Sequence, residues 1–295
     1  MSSPGAQRTE GLEPARTVAL ASLAMMAFAG NSLLCRAALG PELIDAASFT
    51  TLRLLSGAVV LLSLARVLPA SRAAPSPRDW IAALVLFGYA IAFSFAYTLL
   101  TAGIGALILF GTVQATMFVA GLRAGERFGA VAWCGVAIAV AGVVWLVAPG
   151  VSAPDPLGAL LMAAAGIGWG AYSLRGRRLG DPVRMNADSF LRSLPLALAA
   201  SVLLVGIRHV TPEGAALAVA SGALTSGIGY ILWYAALQGL TATRAAVIQL
   251  SVPAIAAVGG VVFLLEPVSW RLVLSSIAIL GGIGMTLTWR ARAPL

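Results

Sequence analysis

The sequence predicts an all-α membrane protein in which ten transmembrane helices form two inverted five-helix repeats around a central cavity. Three observations support this fold class. The chain of 295 residues is 60% hydrophobic and 10% charged, which is too apolar to present a polar surface to water. It contains ten apolar runs of about 20 residues, the length that carries a helix across a bilayer. Its two halves also resemble each other.

The ten runs are continuously apolar, whereas the strands of a membrane barrel would alternate between apolar and polar residues. They begin at Thr17, Ala46, Asp79, Ala102, Phe128, Pro156, Asn186, Glu213, Thr241 and Ser269. The first run is not expected to be a cleaved signal peptide, because it lacks a small-residue cleavage site and further spans follow it.

The second half of the chain repeats the first. Residues 101–126 recur 140 positions later as residues 241–266, and upstream the offset becomes 141, so that Tyr89 matches Tyr230. Matches that share their order and their offset indicate a duplication. Each copy has five spans, an odd number, so the second copy must cross the membrane in the opposite direction. The repeats are therefore predicted to be inverted.

This repeat sets the domain organisation. Residues 1–15, which are polar and contain Pro and Gly, are predicted to form a disordered cytoplasmic N-terminus. The first repeat covers residues 16–148 and the second covers residues 156–290. A linker with several prolines at 149–155 joins them, and residues 291–295 form a C-terminal tail.

The charges predict the orientation in the membrane. All nineteen basic residues are arginines, and fourteen of them fall on the face that the two termini share. Only Arg36, Arg208 and Arg271 fall on the opposite face. By the positive-inside rule both termini of this multi-pass membrane protein are expected in the cytoplasm. This distribution accounts for the basic net charge, so nucleic acid is not an expected partner.

No metal, cofactor or catalytic activity is expected. Cys35 and Cys134 lie within apolar spans as packing residues, and His209 is alone in a loop, so no metal cluster is predicted. An intramembrane enzyme would need paired aspartates or a serine activated by a histidine, and the sequence offers neither arrangement. The expected partners are the lipid bilayer and a small-molecule substrate, and the protein is expected to be a monomer or a weak homodimer.

Inverted repeats with almost no mass outside the membrane are typical of secondary transporters, whose halves meet around a site near the bilayer midplane. Several features also match a known family over nearly the whole chain. They are the paired helix starts at Thr101 and Thr241, the glutamates Glu126 and Glu266, the glycines Gly142 and Gly282, Trp169 and Pro253. With these features the chain resembles the drug/metabolite transporter superfamily, ten-helix EamA type.

Within that superfamily the chain is most similar to bacterial amino-acid exporters of the YddG type. The resemblance implies export of aromatic and other amino acids, or of similar small metabolites, by alternating access. One position departs from the family pattern. Where the family commonly has proline in both repeats, the first repeat here has Val113.

The acidic residues bear on how transport is driven. All eleven lie at helix ends or in loops, so no carboxylate is expected at mid-bilayer. Proton-coupled carriers usually place a titratable group in the pathway, which favours a uniporter or exchanger driven by the substrate gradient. A proton-coupled drug or metabolite exporter stays as an alternative. So does a lipid or nucleotide-sugar translocator, which would need a wide basic cavity.

Aromatic residues within the spans are the first candidates for substrate binding. Tyr89 and Phe93 lie i, i+4 on one helical face, and Tyr230 and Tyr234 repeat that spacing in the second half. Two such walls would suit an amphipathic solute. The alternative is that these residues pack helices or belong to interfacial belts.

Polar residues within the spans form a second set of candidates. Gln114 and Gln249 are amides deep in apolar runs, where an unpaired polar group is costly. They either hydrogen-bond across helices or face the pathway. Asn31, together with Trp169 and Tyr172 at an i, i+3 spacing, extends this set.

One arginine and two prolines complete the candidates. Arg53 lies well inside a span and is predicted to pair with Asp45, two turns earlier; the alternative is that Arg53 binds a substrate carboxylate. Pro195 and Pro253 are expected to break the seventh and ninth helices and so to provide hinges for gating.

Overall fold

A computed structural model describes residues 14–68, 79–150, 153–176, 181–240 and 242–290. The first helix begins at Pro14, so the last two residues of the predicted disordered N-terminus are helical. The rest of that segment, Thr241 and the predicted C-terminal tail lie outside the described residues.

The first half of the chain forms five helices, one for each predicted span. They are α1 (Pro14–Leu39), α2 (Ala46–Val67), α3 (Trp80–Leu99), α4 (Ala102–Arg123) and α5 (Ala130–Val147). Aspartates cap two of them. Asp45 accepts the N–H of Ser48 at 2.9 Å, and Asp79 accepts the N–H of Ala82 at 3.0 Å. These caps satisfy donors that the first turn of a helix leaves free, which explains where α2 and α3 begin.

The second half forms five spans as well, two of them composite. Its α-helices are α6 (Pro156–Gly176), α7 (Pro182–Leu203), α8 (Pro212–Ala220), α9 (Gly229–Leu237), α10 (Ala242–Gln249), α11 (Ser251–Leu264) and α12 (Trp270–Arg290). A short 3-10 turn, Val205–Ile207, precedes α8. The eighth span consists of α8, a π-helical segment at Ser221–Ile228, and α9. The ninth span consists of α10 and α11, which are separated at Leu250.

Nine helices in the described part of the chain are long and apolar enough to cross a membrane. The remaining predicted span, α7, has 22 residues but carries Arg184, Asp188 and Arg192 in its first half. Arg192 pairs with Asp188 at 2.7 Å and lies over the ring of Trp80 in α3. The predicted all-α membrane fold is confirmed, with α7 as a helix of membrane length that has a charged first half.

The helices pack in a pattern that is preserved when the two halves are exchanged. α2 packs on α7, α4 on α11 and α5 on α12, each against its own counterpart in the other half. α3 packs on α6, and the counterpart of α3, the eighth span, packs on α1, the counterpart of α6. Two repeats related by a pseudo-two-fold axis produce this pattern.

Glycines allow the close contact between α5 and α12. A Cβ on Gly135 of α5 would lie 2.5 Å from the Gly282 carbonyl oxygen of α12. A Cβ on Gly142 would lie 2.9 Å from Ala278 Cβ. Because neither position has room for a side chain, small residues here let the two helix backbones approach each other. Gly142 and Gly282, the glycine pair noted in the sequence, therefore both have a packing role at this contact.

α4 and the ninth span diverge across the bundle. We call the side on which α1 begins and α4 ends the arginine-rich face, and the other side the opposite face. Near the opposite face, a Cβ on Gly103 in the first turn of α4 would lie 2.9 Å from Ala257 Cβ of α11. Towards the arginine-rich face, α10 packs mainly on α12, α1 and α11. The contact between α4 and the ninth span is thus concentrated towards the opposite face.

Candidate functional site

A cavity lies inside the bundle between the two halves of the chain. It has about 340 Å³ of space, counting the part of its mouth that is open to solvent. The cavity is lined by Phe28, Asn31, Ser32, Tyr89, Phe93, Leu109, Phe110, Trp169, Thr225 and Tyr230.

Four rings, Phe28, Tyr89, Trp169 and Tyr230, form a continuous surface that we call the aromatic wall. Ring centroids are 5.2 Å apart for Tyr89 and Trp169, and 5.0 Å apart for Trp169 and Tyr230. Phe28 closes the wall with its centroid 6.1 Å from Tyr230. Phe28 and Trp169 are 141 positions apart, as Tyr89 and Tyr230 are. Phe28 and Tyr89 of the first half therefore match Trp169 and Tyr230 of the second. The sequence prediction missed Phe28, although the repeat offset from Trp169 points to it.

The π-helical segment forms a polar side of the cavity. Ser221 Oγ donates to Asn31 Oδ1 at 2.7 Å, and Thr225 Oγ1 lies 3.1 Å from the same oxygen. π-helical turns are rare and frequently occur at functional sites. Ser221 and Thr225 lie i, i+4 on one span, so both hydroxyls reach a single amide and fix Asn31. Ser221 was not predicted, and its only sequence signal is a run rich in hydroxyls and glycine within an apolar span.

Arg53 lies immediately behind the cavity lining. Its side chain is buried, Nη2 donates to Tyr89 Oη at 3.0 Å, and Nε donates to Ser226 Oγ at 3.3 Å. Its Cζ atom lies 5.3 Å from the ring centroid of Tyr89 and 5.0 Å from that of Phe93. Nη1 has no hydrogen-bond partner among the described residues. The guanidinium is therefore held by neutral groups, two of which belong to the cavity lining.

The predicted pairing of Arg53 with Asp45 is wrong. The Asp45 carboxylate accepts the N–H of Ser48 at the start of α2 and the N–H of His209 at 3.1 Å. Backbone donors at a helix end therefore occupy the carboxylate, while Arg53 points into the bundle. No acidic side chain within the described ranges forms a salt bridge with Arg53.

The structure brings five residues predicted from the sequence into the cavity lining. They are Asn31, Tyr89, Phe93, Trp169 and Tyr230. Three of them belong to the aromatic wall, and Phe93 packs on Tyr89 with ring centroids 5.5 Å apart.

Four other predicted residues lie outside the cavity lining. Tyr172 is buried and donates to Asn186 Oδ1 at 2.8 Å, which is a contact between α6 and α7. Gln114 and Gln249 are buried, and Tyr234 is half-buried. Gln114 Nε2 has no hydrogen-bond partner among the described residues. A binding role for these four residues stays a prediction.

The two prolines predicted to be hinges behave differently. The ninth span is interrupted at Leu250, three residues before Pro253, which then lies in the first turn of α11, where proline is tolerated. α7 is continuous through Pro195, so the predicted break of the seventh helix is wrong. Thr51 of α2 donates to the Ala197 carbonyl at 3.1 Å just beyond this proline. This hydrogen bond ties α7 to α2 beside the proline.

Side chains join several helices beyond the cavity on the opposite face. Arg36 Nε contacts Glu266 Oε1 at 3.1 Å, and Arg36 Nη1 donates to the Tyr97 carbonyl at 3.1 Å. Glu266 also accepts the N–H of Ala102, at the start of α4, at 2.9 Å. We call these four residues the Glu266 cluster. It ties α1, α3 and α4 to the segment that follows α11.

On the arginine-rich face, Arg175 of α6 pairs with Asp79 at the start of α3. Partial burial raises the pKa of the Asp79 carboxyl, but the hydrogen bonds from Arg175 and from the N–H of Ala82 lower it by more. The net result is a pKa below the usual value for aspartate. This ion pair links α3 to α6, the helices that carry two residues of the aromatic wall.

A bundle of inverted helical repeats that jointly enclose a cavity is the architecture of a membrane transporter. The EamA-like transporter family matches residues 15–148 and 156–288, one stretch in each half of the bundle, and the chain belongs to this family.

The chain is also similar to one further sequence and one solved structure. A Pseudomonas aeruginosa protein described as uncharacterized is 52% identical over 277 residues, which cover 93% of this chain and 96% of that protein. A crystal structure of a protein with no stated function has a TM-score of 0.68 at 19% identity, over 95% of this chain and 100% of the other. That second likeness concerns the fold.

Proposed function

We propose that this protein is a secondary transporter that exports amino acids, aromatic and others, or similar small metabolites, across the bacterial inner membrane by alternating access. The observation that carries the proposal is the cavity between the repeats, with its aromatic wall and its polar side. Such a site suits a small amphipathic solute, because apolar area supplies affinity and a few fixed polar groups supply orientation. The resemblance to amino-acid exporters of the YddG type points to the same substrate class.

An amino acid has a complement for each of its parts in this cavity. The aromatic wall offers ring faces to the side chain. Ring faces also attract cations, so Trp169 offers a place for the ammonium group. Asn31 and Thr225 supply hydrogen-bonding groups on the polar side.

The packing supports alternating access, with the cavity of this state opening towards the arginine-rich face. The Glu266 cluster and the contact of Gly103 with α11 join the helices near the opposite face. The ninth span diverges from α4 towards the arginine-rich face. With that face in the cytoplasm, as the positive-inside rule predicts, this is the state in which an exporter loads its substrate.

The lining favours transport driven by the substrate gradient over proton-coupled export. No Asp or Glu is among the residues that line the cavity in the described structure. A lipid or nucleotide-sugar translocator is a weaker candidate, because its cavity should be wide and rich in basic residues. This cavity measures about 340 Å³ and has one arginine behind its wall.

Removing one ring of the aromatic wall tests the proposal. Trp169→Ala is expected to lower uptake of labelled L-phenylalanine into proteoliposomes by at least about tenfold, because it deletes a central ring of the site. Trp270→Ala is the matched control, since Trp270 is 81% exposed at the start of α12 and lies outside the cavity lining. Equal uptake by the two variants would contradict a role for the aromatic wall in substrate binding.

A further inference from the structure

We infer that the cavity recognises the carboxylate of its substrate through Tyr89 and Arg53, so that its ligands are carboxylates with an apolar or aromatic side group. An amino group on the ligand is accommodated, but it is not the group that is required. The inference rests on the proposed transport function and names the substrate class of the same site.

Arg53 is a buried cation that pairs with no buried anion among the described residues. Its side chain is 1% exposed, and a guanidinium stays protonated in proteins. Burying a charge is costly unless it is paired. The described neighbours supply two hydroxyl oxygens and two ring faces but no carboxylate, and Nη1 has no hydrogen-bond partner. The positive charge is therefore available to an anion that enters the cavity.

Tyr89 connects this charge to the cavity. Its Oη accepts a hydrogen bond from Arg53 Nη2 at 3.0 Å, and its ring is part of the aromatic wall. A phenol oxygen that accepts a hydrogen bond keeps its own O–H for donation, and no described group accepts that hydrogen. An anion bound by this O–H would lie about 6 Å from the guanidinium, two hydrogen-bond lengths away. At that distance in a protein interior the charge of Arg53 favours an anion strongly.

The hydroxyl of Tyr230, the second tyrosine of the aromatic wall, is also able to donate a hydrogen bond. Tyr230 Oη is buried and has no hydrogen-bond partner among the described residues. No carboxylate is among the described residues of the lining, so an ammonium group there meets only neutral rings, hydroxyls and an amide. The cavity therefore offers its strongest complement to a carboxylate and a weaker one to an amine.

The repeat symmetry gives the bound carboxylate a direction. The position equivalent to Arg53 in the second repeat, 141 residues later, is Leu194. The aromatic wall has a counterpart in each half, but the charge lies on one side only. A bound carboxylate should therefore point towards α2 and α3, with its side group against Phe28 and Trp169.

Ligand-dependent thermal unfolding of the purified protein tests this recognition directly, because binding to the folded state raises the unfolding temperature. The probes are L-phenylalanine, phenylpropionate, which lacks the amino group, and phenethylamine, which lacks the carboxylate. We expect both carboxylates to stabilise the protein, and phenethylamine to bind at least about tenfold more weakly, as the loss of a charge-assisted hydrogen bond implies. Equal stabilisation by phenethylamine, or none by either carboxylate up to its solubility limit, would overturn the inference.

Competition against uptake of labelled L-phenylalanine into proteoliposomes separates the two proposals. If phenylalanine is taken up and phenethylamine competes as well as phenylpropionate, carboxylate recognition fails and transport stands. If phenylalanine binds in the unfolding assay but is not taken up, the transport proposal fails and carboxylate recognition stands.

Variants then assign the recognition to residues. Arg53→Gln and Tyr89→Phe are each expected to reduce the preference for phenylpropionate over phenethylamine to about twofold or less. Arg271→Gln and Tyr97→Phe are the matched controls, because Arg271 contacts the Leu146 carbonyl and Tyr97 is buried outside the cavity lining. Both controls should keep the preference. If Arg53→Gln does not fold, Tyr89→Phe decides, and an unchanged preference in a folded Tyr89→Phe variant overturns the assignment.

Discussion

Gly222 is the position at which one added methyl group should disturb the bundle most. It lies in the π-helical segment, where the eighth span crosses α2. A Cβ at Gly222 would lie 2.8 Å from the carbonyl carbon of Arg53, and it would overlap the carbonyl oxygen of Arg53 and the Oγ of Ser56. A hydroxyl can rotate away, but a backbone carbonyl cannot. Gly222→Ala must therefore push α2 and the eighth span apart.

The expected cost follows from this overlap. Inserting a methyl group into a well-packed interior destabilises proteins by about 1–3 kcal/mol, and a backbone obstacle places Gly222→Ala in the upper part of that range. For a chain of this size a loss of about 2–3 kcal/mol lowers the unfolding temperature by roughly 4–12 °C. The shift also moves Arg53, so carboxylate binding should weaken at the same time.

Thermal unfolding in detergent measures the effect against a matched control. Gly281 is a helical glycine of α12 where a Cβ would meet no atom within 4 Å, so Gly281→Ala should leave the unfolding temperature unchanged or raise it slightly. Adding Ser56→Ala to Gly222→Ala removes one obstacle and leaves the Arg53 carbonyl, so recovery should be partial. The reasoning is refuted if Gly222→Ala is as stable as Gly281→Ala, or if Ser56→Ala restores full stability.

Three further outcomes are expected. Tyr230→Phe removes a buried hydroxyl that has no partner among the described residues, so thermal unfolding should show a stability that is unchanged or raised by up to about 1 kcal/mol. The same variant should bind phenylpropionate several-fold more weakly. The pKa of Asp79 is lowered in the folded protein, so its stabilising pair with Arg175 is present above about pH 4 and is lost as the pH falls through the lowered pKa. The difference in unfolding temperature between the wild type and Asp79→Asn should therefore shrink over that acid range. Pro253→Ala should slow uptake in proteoliposomes without abolishing ligand binding, since it removes the ring that fixes the backbone beside the break in the ninth span. Unaltered turnover would remove the hinge role.

The repeat was the most informative signal in the sequence. Its 141-residue offset paired Tyr89 with Tyr230, and the structure brings both rings to one cavity. The same offset links Phe28 to Trp169, but a phenylalanine in an apolar helix gives no reason to be singled out. Residue type found Asn31, the two tyrosines, Phe93 and Trp169, and the repeat offset was needed to find Phe28.

Other features depended on competition that a sequence does not display. Asp45 is close enough to Arg53 in the chain to suggest an ion pair, yet the backbone N–H groups of Ser48 and His209 occupy its carboxylate. The π-helical segment has no distinct signal, because an apolar run does not reveal which turn spacing it adopts. Pro195 lies within a continuous helix that packs on α2, and the sequence does not display this tertiary contact.

Counterflow in proteoliposomes tests the central claim most directly. Uptake of labelled L-phenylalanine would be measured with and without unlabelled phenylalanine inside the vesicles, at equal pH on both sides and again with an imposed pH gradient. The account predicts uptake that is stimulated by internal phenylalanine and insensitive to the pH gradient, since no acidic residue lines the described cavity. Uptake that depends on the pH gradient would contradict gradient-driven exchange, and the absence of phenylalanine flux in every format would contradict the proposed export of aromatic amino acids.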